Sequence, residues 1–144
     1  MLSNKIKGFI ILMFILAQAL VAKETGHLQK YFNEAAIKVK ATDEPQQKRA
    51  ILNNSLETMS KALTRVEKSG MITKEDRVII ERINASLQEK QNELMGNKGA
   101  QGVPDAQLNA FSDYVVQDME QADQVITISV VTLLLIVLII VLLV

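Results

Sequence analysis

Residues 52–66, LNNSLETMSKALTRV, place Leu52, Leu56, Met59, Leu63 and Val66 at successive steps of four, three, four and three. That spacing is the a/d seam of a helix packed against another helix. Asn53, Glu57 and Lys61 fill the other faces. Upstream, Thr42-Asp43-Glu44-Pro45 supplies a helix start, with Asp43 or Glu44 as cap and proline in the first turn. Downstream, Gly70 suits the left-handed position beyond a helix end.

A second seam follows at once. Thr73-Lys74-Glu75-Asp76 reads as an N-cap with acids in the first turn. Ile80, Ile83, Leu87 and Leu94 then share a face, and Lys90 is its one polar step. Two readings of Lys90 stand: a register-setting or snorkelling side chain, or a seam that drifts to Gln91 or Glu93 near the helix end. Drift is the favoured expectation. A short connection between two such helices makes them antiparallel neighbours, so a hairpin is expected over residues 44–95.

Shorter amphipathic stretches flank the hairpin. Leu28, Phe32, Ala35 and Val39 form one stripe, with Tyr31 and Ala36 beside it. Residues 96–104, GNKGAQGVP, break any helix, and 99–104 read as a flexible linker. Beyond Pro104 and Asp105, Leu108, Phe111, Val115, Met119 and Ala122 continue a stripe over residues 105–124.

The two ends of the chain are apolar in different ways. Residues 125–144, VITISVVTLLLIVLIIVLLV, contain no charge, proline or glycine. As a helix they would span about 30 Å, the thickness of a bilayer's hydrocarbon core. One continuous rod of about 40 residues is expected from Asp105 onward, its second half in lipid. Residues 1–22 pair Lys5 and Lys7 with the apolar run Gly8–Leu16 and the small residues Ala17, Ala19 and Ala22. This is the pattern of a signal peptide cut after Ala19 or Ala22, with an uncleaved signal anchor as the alternative. A glycolipid-anchor signal fits poorly, because Ser112 is followed by bulky side chains.

The expected fold is therefore all-α. It is an antiparallel helical bundle, a helical hairpin plus two flanking helices spanning 23–98 and 105–124, with a C-terminal transmembrane helix over 125–144. Lys5 and Lys7 hold the N-terminal side in the cytoplasm, and no Lys or Arg occurs between Gly99 and Val144. The bulk of the chain is thus expected to be periplasmic or extracellular, on a single-pass membrane protein.

Composition narrows the function classes. Lys23–Lys98 holds fourteen Lys/Arg and eleven Asp/Glu, and the whole chain is neutral. Its scattered basic residues and few aromatics exclude a nucleic-acid footprint. Without cysteine, the body must cohere by apolar packing. No catalytic, cofactor or metal site is expected. Glu24 and His27 have carboxylate-x-x-His spacing, but a di-iron bundle needs two such motifs. Asp118, Glu120 and Asp123 read as a solvated face, and the sequons at Asn53 and Asn84 matter only where glycosylation occurs.

The architecture is similar, at fold level only, to the ligand-sensing half of bacterial transmembrane receptors. The expected function is a non-enzymatic structural or interaction subunit of an envelope complex. Its partners would be the membrane and another envelope protein or a second copy. Leu56, Leu63, Ile80 and Leu87 are the candidate partner-binding residues, provided that the monomer leaves the hairpin seam partly open. The alternative is a small-ligand sensor signalling through its transmembrane helix to another protein.

Overall fold

A computed structural model describes the backbone of residues 27–125 and 130–143, and the side chains of residues 28–122 and 132–143. The signal-peptide reading of residues 1–22 lies outside the described residues. The described residues form five α-helices: α1 (His27–Lys40), α2 (Pro45–Lys68), α3 (Lys74–Met95), α4 (Leu108–Val125) and α5 (Val130–Leu143). One 3-10 turn, Asp105–Gln107, precedes α4. There is no strand among the described residues.

The hairpin forms as its boundary residues dictate. Glu44 occupies the N-cap position of α2 with Pro45 following it, although its side chain makes no capping bond. Gly70 takes φ 72°, where a Cβ would be strained. The Thr73 hydroxyl accepts the Asp76 backbone N–H at 3.1 Å and so starts α3. Gly96, at φ 76°, ends it, and its N–H returns to the Asn92 carbonyl.

Both seams face inward. Leu52, Leu56, Met59, Leu63 and Val66 on α2 are buried, as are Ile80, Ile83, Leu87 and Leu94 on α3. Lys90 is buried with them, so the second seam runs through Lys90 instead of drifting to its half-buried neighbours Gln91 and Glu93. Between the seams, Asn84 donates to Thr64 at 2.9 Å and accepts from Ser60. That polar bridge fixes the register of α2 against α3, because shifting either helix would strand a buried amide.

The flanking helices complete an up-down-up-down bundle. Leu28, Phe32, Ala35 and Val39 of α1 and Leu108, Phe111, Val115 and Met119 of α4 are buried in the same core. Contacts between Lys40 and Asp113 and between Tyr31 and Ser55 set α1 antiparallel to both α4 and α2.

The junction of the expected 40-residue rod, residues 126–129, lies outside the described residues, and the two described parts of the rod pack on different helices. Helix α4 packs mainly on α1, whereas α5 packs on α2. Ile136 and Ile140 of α5 join the bundle's own core cluster. A helix that is apolar all round has no face that requires water, so it can bury one side against protein. Among the described residues no helix is long and apolar enough to cross a membrane.

Candidate functional site

Beyond the Asn84 bridge and the Lys40–Asp113 pair, polar arrangements at Arg49, Lys90 and Asp76 also tie the bundle together. The first is at Arg49 on α2. Its guanidinium donates to the carbonyls of Leu94 (2.7 Å) and Val103 (2.6 Å) and pairs with Asp105 at 3.0 Å. The Val103 N–H also reaches Leu94, at 3.3 Å. The segment expected as a flexible linker is therefore clasped at its two ends by one side chain. Sequence reasoning gave Arg49 no role, since carbonyl acceptors leave no trace in residue identity.

The second arrangement centres on Lys90. Its side chain is 4% exposed, and its ammonium forms an ion pair with Asp118 of α4, donates to Ser86 at 3.0 Å, and lies 5.3 Å from the centroid of the Tyr114 ring. Ser86 in turn donates to Asp118 at 3.3 Å. Lys90 is thus the polar clamp between α3 and α4. Asp118 serves this clamp, while Glu120 is exposed and the Asp123 side chain lies outside the described residues. Glu24 and the His27 side chain lie outside them too. Among the described residues, no three His, Cys, Asp or Glu side chains converge as a metal site.

The third joins α5 to the rest. Asp76, in the first turn of α3, is 4% exposed, and Thr132, near the start of α5, is 1% exposed. The Thr132 hydroxyl donates to the Asp76 carboxylate at 2.7 Å. An acid in the first turn is favoured by the helix dipole, which explains why a carboxylate is tolerated at this depth. Thr132, Ile136 and Ile140 recur every four residues and face inward. Leu134, Leu138 and Leu142 are offset from them by two residues, about 200° around the helix. They face outward, at 39, 46 and 71% exposure. Helix α5 thus seats one apolar face and displays another.

The candidate partner-binding residues occupy a different place. Leu56, Leu63, Ile80 and Leu87 are each 0% exposed. The condition attached to them, a partly open seam, is not met: α1, α4 and α5 together close over the hairpin, and these four are core. The sequons are likewise not on display, because Asn84 is buried in its bridge to Ser60 and Thr64, and half-buried Asn53 accepts from Gln91 at 3.4 Å.

Tyr31 is half-buried between α1 and α2. Burial pushes its phenol up to about 12, opposed by a hydrogen bond with the Thr58 side chain and reinforced by the charge of Glu34. Its hydroxyl donates to the Ser55 carbonyl at 3.3 Å, a structural bond between α1 and α2. No family model, curated protein or solved structure matches this chain.

Proposed function

We propose that this chain is a membrane-anchored helical interaction protein without catalytic activity. Its four-helix body faces the periplasm or cell exterior, and it serves as an accessory subunit of an envelope complex. One observation carries the reading: α5 is apolar on both faces. Its seated face is covered by α2, but Leu134, Leu138 and Leu142 are left facing outward along the helix. Covering a leucine side chain fully is worth about 1.5 to 3 kcal/mol, so three partly exposed leucines on one stripe favour a nonaqueous neighbour. Helix α5 alone, at 14 residues, would reach only about 21 Å. The uncharged run of residues 125–144 has the length that a bilayer requires.

Association with a protein partner then falls to exposed side chains. Ile37, Met71, Val78 and Met95 are exposed apolar residues of the body and are better placed for it than the buried seam.

Alkaline carbonate extraction and protease added outside intact spheroplasts test the reading. The chain is expected to stay with the membranes, and its body to be digested. Release by carbonate, or a body protected from outside protease, overturns it. Crosslinking in intact membranes tests the accessory role, which a strict monomer free of crosslinked partners would refute.

A further inference from the structure

Helix α5 occupies a seat on α2, and the same hydrocarbon surface that fills the seat is what a bilayer would take. We infer that the seat is a resting position: lipid competes with α2 for α5, and the Thr132–Asp76 hydrogen bond is the latch that must open for the helix to leave. This inference rests on the membrane reading above. The occupant of the outward face is committed as lipid because residues 125–144 offer it no charge and only three polar side chains, all hydroxyls.

The latch chemistry is asymmetric between the two positions. In the seat, the Thr132 hydroxyl donates to a carboxylate that is itself almost wholly buried. In lipid, a threonine hydroxyl is satisfied by a carbonyl one turn back in its own helix. Asp76 has no such substitute in hydrocarbon and stays with the bundle at the start of α3, where departure of α5 opens it to water. The latch therefore separates cleanly, each partner keeping a bond. Ile136 and Ile140 leave an apolar seat for an apolar solvent and lose little. What changes most is the bundle, whose α2 surface under α5 becomes uncovered when the helix departs. Membrane insertion would in this way expose a surface on the body that the unanchored chain keeps closed.

The full chain contains no cysteine, so introduced thiols report without background. A variant carrying Asp76→Cys and Thr132→Cys, made by cell-free synthesis with or without phosphatidylethanolamine–phosphatidylglycerol vesicles, is treated with a short bismaleimide. Bridging is expected in the vesicle-free sample and is expected to fall at least fivefold in chains that float with vesicles. Equal bridging in both, or bridging in neither, overturns the inference. A chain that never floats refutes the membrane reading itself, and that outcome is distinct because flotation is scored on the unmodified protein. Single variants that keep the latch give an independent measure. Without vesicles, Leu142→Cys should label with a charged maleimide at least tenfold faster than Ile136→Cys, following their 71 and 4% exposure. Equal labelling would mean that no seat exists, whatever the double variant does.

Discussion

The Lys90–Asp118 pair yields the sharpest quantitative test, because its two members are buried to different depths. The Lys90 side chain is 4% exposed and the Asp118 side chain 34% exposed. Replacing Asp118 with alanine leaves an ammonium inside the bundle with only the Ser86 hydroxyl and the Tyr114 ring beside it. Breaking a fully buried pair in this way costs about 3–5 kcal/mol. Access of water through the truncated, one-third-open Asp118 position reduces that to about 2–4 kcal/mol. Replacing Lys90 with methionine does something different. The aliphatic stem is kept in volume, and the stranded carboxylate retains the Ser86 bond and its contact with solvent. The loss is then near that of an exposed pair, about 1 kcal/mol or less. The double variant should resemble Lys90→Met alone, giving a coupling energy above about 1 kcal/mol. Urea unfolding of the full chain in a mild detergent, followed by far-UV circular dichroism, measures all three. If Lys90→Met proves the more damaging single change, or if Asp118→Ala stays within about 0.5 kcal/mol of the parent, the ammonium is not held in a low-dielectric interior and the clamp assignment is wrong.

Three further outcomes are expected. Arg49→Lys should lower stability by about 1.5–3 kcal/mol in the same urea assay and speed proteolytic cutting within residues 96–104, because an ammonium cannot span two carbonyls as the guanidinium fork does. Gly96→Ala should cost more than Gly70→Ala: both are left-handed, at about 1 kcal/mol of strain, but only at Gly96 would the new Cβ press on backbone, 3.3 Å from the Gly102 nitrogen. A Tm for Gly70→Ala equal to or below that for Gly96→Ala would contradict this. Tyr31 is an acid whose folded pKa, about 12, lies above its ordinary value of 10.0. Its contribution to stability is complete below pH 10 and is lost as pH rises through 12, which Tyr31→Phe should abolish in ultraviolet-monitored alkaline titration.

Much of the fold was legible because helical hairpins are written in local periodicity. Every residue of the two seams that the spacing selected is buried, and the Thr73 cap and the Gly96 stop act where their chemistry requires. The unreadable parts depend on contacts between distant residues. Lys90 looked like the place where a seam loses its register, since a lysine on an apolar stripe is costly until a counter-ion is supplied. The counter-ion stands on another helix, at Asp118. Arg49 was invisible for a related reason: two of its three partners are backbone carbonyls, which any sequence provides. The candidate partner residues misled because a seam gives the same pattern whether it is closed by the chain's own flanking helices or by a second protein. The positions of α1, α4 and α5 are what distinguish the two.

The C-terminal run shows the same limit in its strongest form. Periodicity identifies a helix's solvent by the contrast between its faces, and α5 has almost none. Ile136 and Ile140 on one side and Leu138 and Leu142 on the other are interchangeable as hydrocarbon, so no wheel can say which faces protein. Thr132 is the side chain that breaks this equivalence. It lies on the seated face, and its hydroxyl meets the buried Asp76 carboxylate at that end of the hairpin. Replacing Thr132 with valine keeps the shape of the side chain and removes only the donor. The seat then loses a bond to a charged group, about 1.5–3 kcal/mol, whereas a helix in lipid loses nothing. Thr132→Val should therefore shift the chain toward vesicles in flotation at limiting lipid, by about tenfold for each 1.4 kcal/mol lost. Unchanged partitioning of a folded variant would show that the hydroxyl does not hold α5 in its seat.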